Sequence, residues 1–256
     1  MAKIKTLEEI ESLRKGGKIL ARILKTLGEY SKPGVSTEDI NDYALQLAEE
    51  YGAEPVLLGY HPEFAAHPYP AALCTSVNNT VQHGVPRADE VLKEGDIINL
   101  DMSIGYEGMI VDSGITVPVG KIDPVSQKLI DVTREALAIG IKQAKPGNHI
   151  GDIGHAVQTF VESRGFSIVE VLCGHGVGHA VHEEPLVPNF GKAGSGPLIK
   201  VGNVFAIEPI VNVGKKDVWF DDDGDGYSVF TVDGSRAAHF EHTVAITEKG
   251  PEIMTK

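Results

Sequence analysis

The chain repeats one local pattern at a spacing of 113 residues, and this repeat limits the possible folds more than any other feature. Lys32-Pro33-Gly34 precedes an amphipathic helical pattern that stops at Gly52, and Lys145-Pro146-Gly147 precedes a second pattern that stops at Gly165. A helical pattern also runs into each copy, and a Thr6–Glu9 capping box opens the first one. Repetition in the same order predicts two similar structural units.

Predicted strands follow the helices in both copies and extend the repeat. Residues 93–101 and 200–208 share one apolar pattern, and each segment ends in an acid. A third similarity places residues 111–113 against residues 240–242 on the partner strands. Three similarities in the same order indicate that the two units are related by a pseudo-twofold axis.

The length and composition fit one folded domain of this kind. A chain of 256 residues with 42% hydrophobic content can bury a substantial core. We therefore predict an α+β fold in a single domain over residues 1–256, with helix–helix–sheet halves of about 7–120 and 121–250.

Charge and cysteine content argue against several classes of function. The net charge of −13 is unlike that of nucleic-acid binding surfaces, which depend on clustered Lys and Arg. No segment approaches the ~18 apolar residues of a membrane span. The N-terminus lacks the apolar stretch that is typical of a signal peptide. Cys74 and Cys173 can form at most one disulfide, so reduced thiols are expected. We predict a cytoplasmic protein that binds neither nucleic acid nor membrane.

Two aspartates are expected to face each other on a hairpin. Residues 97–104 alternate apolar and polar side chains, as a half-buried strand does, and Asp101 lies on the polar side. A turn centred on Tyr106-Glu107 would place Asp112 directly opposite Asp101. Directly opposed Cβ atoms lie about 4.5–5.5 Å apart, where like charges destabilise a sheet unless a cation lies between them.

The repeat adds Glu208 and Glu241 as a matching pair of acids. Four converging carboxylates repel one another, which raises some of their pKa values strongly unless cations are bound. The run from His175 to Pro185 adds three histidines among glycines, and it lacks the His-Glu-x-x-His helix of zinc proteases. Four carboxylates and one imidazole suit two divalent ions such as Mn, Fe, Co or Zn, which activate water for hydrolysis.

Several short motifs together resemble the type I methionine aminopeptidases. They are His-Gly-Val-Pro at 83–86, Asn-Leu-Asp ending at Asp101, Asp112, the run 175–185, Ile-Glu-Pro at 207–209 and Glu-His-Thr at 241–243. The resemblance covers nearly the whole chain and implies the pita-bread fold, a curved sheet from two antiparallel-sheet halves with helices outside. It also implies a single catalytic domain that removes the initiator methionine from nascent proteins with a small second residue.

The resemblance assigns the metal ligands individually. It makes Asp101 a ligand of the first ion, His175 and Glu208 ligands of the second, and Asp112 and Glu241 bridges between the two. Glu208 is also expected to shuttle a proton. His179 lies where the family varies and is expected to be a plain loop residue.

Two further histidines and a methionine pocket follow from the same resemblance. His83 and His182 are expected to contact the scissile amide and to stabilise the tetrahedral intermediate. The pocket is expected to use Tyr60, Cys74, Val181 and Tyr227, with His61 at its edge. The stretch 62–70 is longer than is usual in the family, and either Phe64 or Tyr69 is expected to close the pocket.

Other interpretations of the sequence stay open. Proline-directed aminopeptidases and prolidases share the same metal-ligand set, and the pita-bread fold also occurs in binding modules without activity. The acidic run 221–226 partly imitates a calcium loop, but Val232 occupies the twelfth position, so we expect a solvated hairpin tip. The protein is expected to be a monomer, and a contact with the ribosome is left open.

Overall fold

The structure, a computed structural model, describes residues 3–62 and 65–256. This part of the chain contains four helices and fifteen strands. The helices are α1 (Leu7–Tyr30), α2 (Thr37–Glu50), α3 (Pro124–Gln143) and α4 (Ile150–Ser163). The strands are β1 (Glu54–Pro55), β2 (Cys74–Val77), β3 (Thr80–Gln82), β4 (Ile97–Tyr106), β5 (Met109–Pro118), β6 (Ser167–Ile168), β7 (Gly174–Gly176), β8 (Glu183–Val187), β9 (Val204–Ile207), β10 (Ile210–Asn212), β11 (Val218–Phe220), β12 (Val229–Thr231), β13 (Ala237–His239), β14 (His242–Thr247) and β15 (Gly250–Ile253).

The first helix begins at the predicted capping box. The Glu9 amide donates to the Thr6 hydroxyl at 3.2 Å, and the Thr6 amide donates to the Glu9 carboxylate at 2.7 Å, which satisfies two amides that have no partner inside the helix. One face of α1, which includes Leu13, Leu20 and Leu27, is buried and packs against β4 and β5. Burial of this apolar stripe holds the helix on the outside of the sheet.

The repeat is visible in the two shorter helices. Helices α2 and α4 each have 14 residues, and their N-termini are built alike. The Ser36 amide donates to Asp39, and the His149 amide donates to Asp152. An isolated β-bridge then ties each of these cap residues to a segment of its own half, Ser36 to Val91 and His149 to Leu198. The helical part of the predicted repeat is confirmed.

The described strands form four antiparallel sheets, and only the sheet of β11, β12 and β3 combines strands from both halves. One contains β1, β2, β4 and β5, another runs β15-β14-β9-β7-β8, and two three-stranded sheets run β13-β10-β6 and β11-β12-β3. The halves meet where Gly114 of β5 and Glu241 exchange backbone hydrogen bonds, at 2.8 Å and 3.4 Å. One apolar core lies beneath α1 and α2 and another beneath α3 and α4. The described part of the chain has no helix with the length and apolarity of a membrane span.

The hairpin between β4 and β5 turns one residue later than predicted. Tyr106 pairs with Met109, so the turn is Glu107-Gly108 instead of Tyr106-Glu107. Both turn residues have positive φ, 48° and 77°. A two-residue turn of this kind matches the right-handed twist of the strands, and glycine at its second position adopts this backbone without strain.

The predicted register of the two aspartates is therefore wrong. Asp101 lies opposite Gly114, and Asp112 lies opposite Ser103. Moving the turn by one residue shifts the pairing by two residues, so both aspartates still point to the same face of the sheet. They become diagonal neighbours, whose Cα atoms lie about 7–8 Å apart in such sheets, a separation that leaves room for an ion between the carboxylates.

The polar face of β4 is buried, whereas the alternation predicted a half-buried strand. Asn99, Asp101 and Ser103 are 2%, 7% and 1% exposed. The second half of the molecule covers this face, since the Asn99 amide donates to the carbonyl of His239 at 3.0 Å. The polar side of the strand therefore forms the wall of an interior site.

Candidate metal centre

A cavity of about 150 Å³ is lined by residues of both halves. It contains all five side chains expected as metal ligands, Asp101, Asp112, His175, Glu208 and Glu241. It also contains His83, His182 and the expected pocket residues Tyr60, Cys74, Val181 and Tyr227. His61 is not part of the lining: it is exposed, and its Nε2 lies 3.0 Å from the carbonyl oxygen of Ala65.

The expected ligands are carried by the central strands of the two halves. Asp101 is on β4, Asp112 on β5 and His175 on β7, while Glu208 and Glu241 lie just beyond the paired ends of β9 and β14. All five are buried. Burial of several carboxylates without compensating charge is strongly unfavourable, so this cluster requires a partner that its own side chains do not supply.

The imidazole of His175 is oriented as a metal ligand would be. Its Nδ1 lies 2.9 Å from the carbonyl oxygen of Gly176, so a neutral ring donates its proton there and leaves the Nε2 lone pair free. Nε2 lies 3.8 Å from Asp112 Oδ2 and 3.6 Å from Glu208 Oε1. Burial lowers the pKa of His175 to about 4, which keeps the ring neutral near pH 7. A lone pair facing two carboxylates is a suitable environment for a cation.

The carboxylates give independent support for a bound cation. Burial, together with the charge of Asp112, raises the pKa of Asp101 well above its usual value, and burial raises the pKa of Glu208 and Glu241 in the same way. Asp112 Oδ1 and Glu241 Oε1 are buried without a hydrogen-bond partner. Ligand atoms of Asp112, His175 and Glu241 lie within 4.8 Å of one another. The donor set therefore fits a divalent metal ion that prefers oxygen with one nitrogen.

Two residues of the centre were missed by the sequence analysis. The Gln82 amide donates to Glu208 Oε2 at 3.1 Å. His239 is fully buried, and its Nε2 lies 3.7 Å from Glu208 Oε2 and 3.9 Å from Glu241 Oε2. His239 ends β13 and Glu241 lies between β13 and β14, so strand alternation in the sequence gave no signal for this histidine.

His83 and His182 line the same cavity. His83 has a φ of 57°, a conformation that non-glycine residues adopt rarely and that is often found at functional sites. Burial lowers its pKa to about 4. His182 contacts the Tyr60 hydroxyl through Nδ1 at 2.9 Å, and its ring centroid lies 4.4 Å from that of His175.

Part of the cavity wall is aromatic and apolar. Tyr69, Cys74 and Tyr227 are buried in one cluster, and the two tyrosine rings meet edge to face at 5.0 Å. Burial raises the pKa of the Cys74 thiol well above its usual value, so the group stays uncharged. Of the two aromatics considered for closing the pocket, Tyr69 lines the cavity, and Phe64 lies outside the described residues.

Two similar helix-and-sheet halves around a buried cluster of carboxylates and imidazole define a metallopeptidase of the pita-bread class. The sequence pattern of metallopeptidase family M24 matches residues 11–248. The chain belongs to this family.

The similarity extends over the full length of known relatives. A methionine aminopeptidase of Aquifex aeolicus is 47% identical over 252 residues, which are 97% of this chain and 96% of that protein. The crystal structure of the methionine aminopeptidase from Thermotoga maritima superposes with a TM-score of 0.95 at 41% identity and full coverage of both chains. The prolidase from Pyrococcus furiosus shares the fold, with a TM-score of 0.76, 22% identity and coverage of 99% of this chain and 65% of that one. The predicted fold and family are confirmed.

Proposed function

We propose that this chain is a methionine aminopeptidase that removes the N-terminal methionine from polypeptides with a small second residue. The observation that carries this proposal is the cavity itself, which is lined both by the metal-site group, with the free Nε2 of His175 and unpartnered carboxylate oxygens, and by buried aromatic and apolar side chains. A metal centre beside an apolar lining suits cleavage next to one buried side chain.

The cavity has a size and lining suited to methionine. Its volume of about 150 Å³ equals that of an engineered protein cavity that binds benzene, so an unbranched thioether side chain fits. Sulfur makes favourable contacts with the edges of aromatic rings, and Tyr69 and Tyr227 provide such rings. Val181 is buried in the same lining and adds apolar surface.

The proposal includes two divalent ions, with Co, Mn, Fe or Zn as candidates. Asp101 would hold one ion, His175 and Glu208 the other, and Asp112 and Glu241 would bridge the two. Such a pair of ions lowers the pKa of a bound water and polarises a carbonyl group.

The protein's own side chains position the substrate and transfer protons. In the proposed site the Tyr60 hydroxyl donates to Nδ1 of His182, so the neutral ring carries its proton on Nε2 and donates it to the substrate amide. His83 contacts the same amide from its strained backbone position. Glu208, oriented by the Gln82 amide, accepts and returns the proton.

Hydrolysis of defined peptides tests the function. Protein reconstituted with Mn or Co is expected to release methionine from Met-Ala-type peptides, measured by product analysis. Release of the first residue from X-Pro peptides instead would favour the proline-directed class. Absence of both activities in protein with its full metal content would favour a binding module.

His182→Ala is expected to lower kcat by about 100-fold while the metal ions are retained, because a hydrogen-bond donor to the developing oxyanion is lost. Turnover of Met-Ala peptides and metal content per chain measure the two effects. His155→Ala, on the exposed side of α4, is the matched control and should leave both unchanged. Unchanged turnover in His182→Ala would contradict the role given to this ring.

The cytoplasmic location, the monomeric state and the ribosome contact stay predictions from the sequence.

A further inference from the structure

A buried lysine near the N-terminus contacts the loop that carries His182. Lys5 Nζ lies 2.6 Å from Glu183 Oε2, and the two side chains are only 1% and 5% exposed. Both charges lose their hydration, so a buried ion pair adds little stability compared with an apolar pair of similar size. Fold stability alone is therefore a weak reason for a lysine at this position.

The same carboxylate also organises the loop. Glu183 Oε1 accepts the amide of His179 at 2.6 Å and the amide of Ala180 at 3.2 Å. One oxygen therefore binds Lys5, while the other closes the segment 179–183 into a compact loop. His182 is part of this loop and directly precedes Glu183.

Contacts of its backbone and of its side chain fix the position of Lys5. The Lys5 amide donates to the carbonyl of Gly202 at 2.8 Å. Gly178 passes so close to the lysine side chain that a Cβ added there would lie 2.6 Å from Lys5 Cε. The Gly178 carbonyl in turn accepts the amide of Ile110 on β5 at 2.7 Å. The Lys5 side chain is thus enclosed between the loop and the segment at Gly202.

A second contact ties the loop to the first helix. His179 Nε2 lies 2.7 Å from Glu9 Oε1, and Glu9 also belongs to the capping box of α1. His179, expected to be a plain loop residue, takes part in this contact. The N-terminal segment therefore holds the loop at two points, through Lys5 and through Glu9.

We propose that Lys5 and Glu183 are positioning residues for His182. This inference rests on the proposed function, in which His182 donates to the substrate amide. Glu183 fixes the backbone beside His182, and Tyr60 contacts the ring from the other side at 2.9 Å. A displacement of about 1 Å at a reacting group can lower the rate about 100-fold, so loss of the ion pair acts on kcat.

Two variants test the ion pair. Lys5→Met keeps an unbranched apolar side chain, and Glu183→Gln keeps an acceptor for the loop amides while it removes the charge. Each is expected to lower kcat on Met-Ala peptides about 10- to 100-fold, with KM and metal content nearly unchanged. Lys15→Met is the matched control, because its ammonium pairs with Glu107 on the surface at 2.9 Å, and it should retain full kcat.

Lys5→Met leaves a buried carboxylate without its partner, which destabilises the fold. The double variant Lys5→Met/Glu183→Gln removes both charges and keeps the test valid if the single variant does not fold. Its kcat should remain low although its thermal midpoint recovers. A double variant with full kcat would overturn the inference.

A double-mutant cycle separates positioning from a general structural effect. If Glu183 acts through His182, then Glu183→Gln added to His182→Ala should lower kcat no further. An independent, multiplicative loss would overturn the inference, as would full kcat in both single variants of an active enzyme. An inactive wild-type enzyme with full metal content would overturn the proposed function and this inference together.

Discussion

Glu241→Gln is expected to abolish peptidase activity and, in the same molecule, to stabilise the metal-free fold. The variant removes a carboxylate that would bridge the two ions, so the transition state loses several kcal/mol of stabilisation. A loss of this size lowers kcat by more than about 1000-fold. In the metal-free protein Glu241 is one of four buried acids, and burial raises its pKa well above the usual value. A neutral amide avoids that unfavourable burial, so the free energy of unfolding should rise by about 1–3 kcal/mol.

The opposite signs of the two effects make this experiment decisive. Turnover of Met-Ala peptides, metal content and thermal unfolding are measured with and without a chelator. Asp112→Ala is expected to abolish turnover as well, because it removes the other bridging carboxylate. Glu162→Gln, on the exposed face of α4, is the control and should change neither quantity. Retained turnover in either bridge variant would count against the metal centre described above.

The helices and their repeat were predictable because their signals are local. A capping residue, an apolar stripe and a terminating glycine all lie within one short segment, as between Ser36 and Gly52. For the second half, Lys145-Pro146-Gly147 and the stop at Gly165 indicated the matching helix. Local signals of this kind do not depend on where the rest of the chain lies.

The hairpin register was not predictable to the residue. Alternation fixes which face a side chain occupies, so Asp101 and Asp112 were correctly placed on one face. It does not fix which residues pair, since that depends on the turn. Glu107 adopts a positive φ, which is uncommon for a non-glycine residue, and the sequence therefore favoured a different centre.

The long-range contacts of the site left no local signal. Lys5 and Glu183 are 178 positions apart, and Gln82 and Glu208 are 126 apart. A lysine near the N-terminus is normally a solvated residue, and only the packing of the two halves buries this one. The face of β4 was expected to be half-exposed for the same reason, because the alternation of one strand does not show what covers it.

The stability of the metal-free protein is expected to fall as the pH rises from 6.5 to 8. Burial raises the pKa of Asp101, Glu208 and Glu241 well above the usual carboxyl values. The folded protein then keeps protons that the unfolded chain has released, so the free energy of unfolding decreases with increasing pH. Each carboxyl that stays protonated in the folded state contributes about 1.4 kcal/mol per pH unit.

The histidines fix the lower limit of this pH range. Burial lowers the pKa of His83 and His175 to about 4 and that of His239 to about 3. Below about 6.5 the unfolded chain holds protons on these rings that the folded protein lacks, so their contribution makes stability rise with pH. Above that value the unfolded chain loses these protons progressively, and by about pH 7.5 the rings are nearly all neutral in both states. Between pH 7.5 and 8 the decrease therefore reports on the carboxylates.

Thermal midpoints at four pH values between 6.5 and 8, with a chelator and with saturating Mn, measure this effect. With Mn the folded protein holds its carboxylates ionised, so the pH-dependent decrease should disappear and the gap between the two series should widen as pH rises. Glu241→Gln should reduce the slope of the chelator series by the contribution of one carboxyl, whereas Glu162→Gln should leave it unchanged. Metal-free midpoints that rise between pH 7.5 and 8 would mean that the four acids are ionised and compensated in the absence of metal, which would remove the electrostatic reason for a cation at this site.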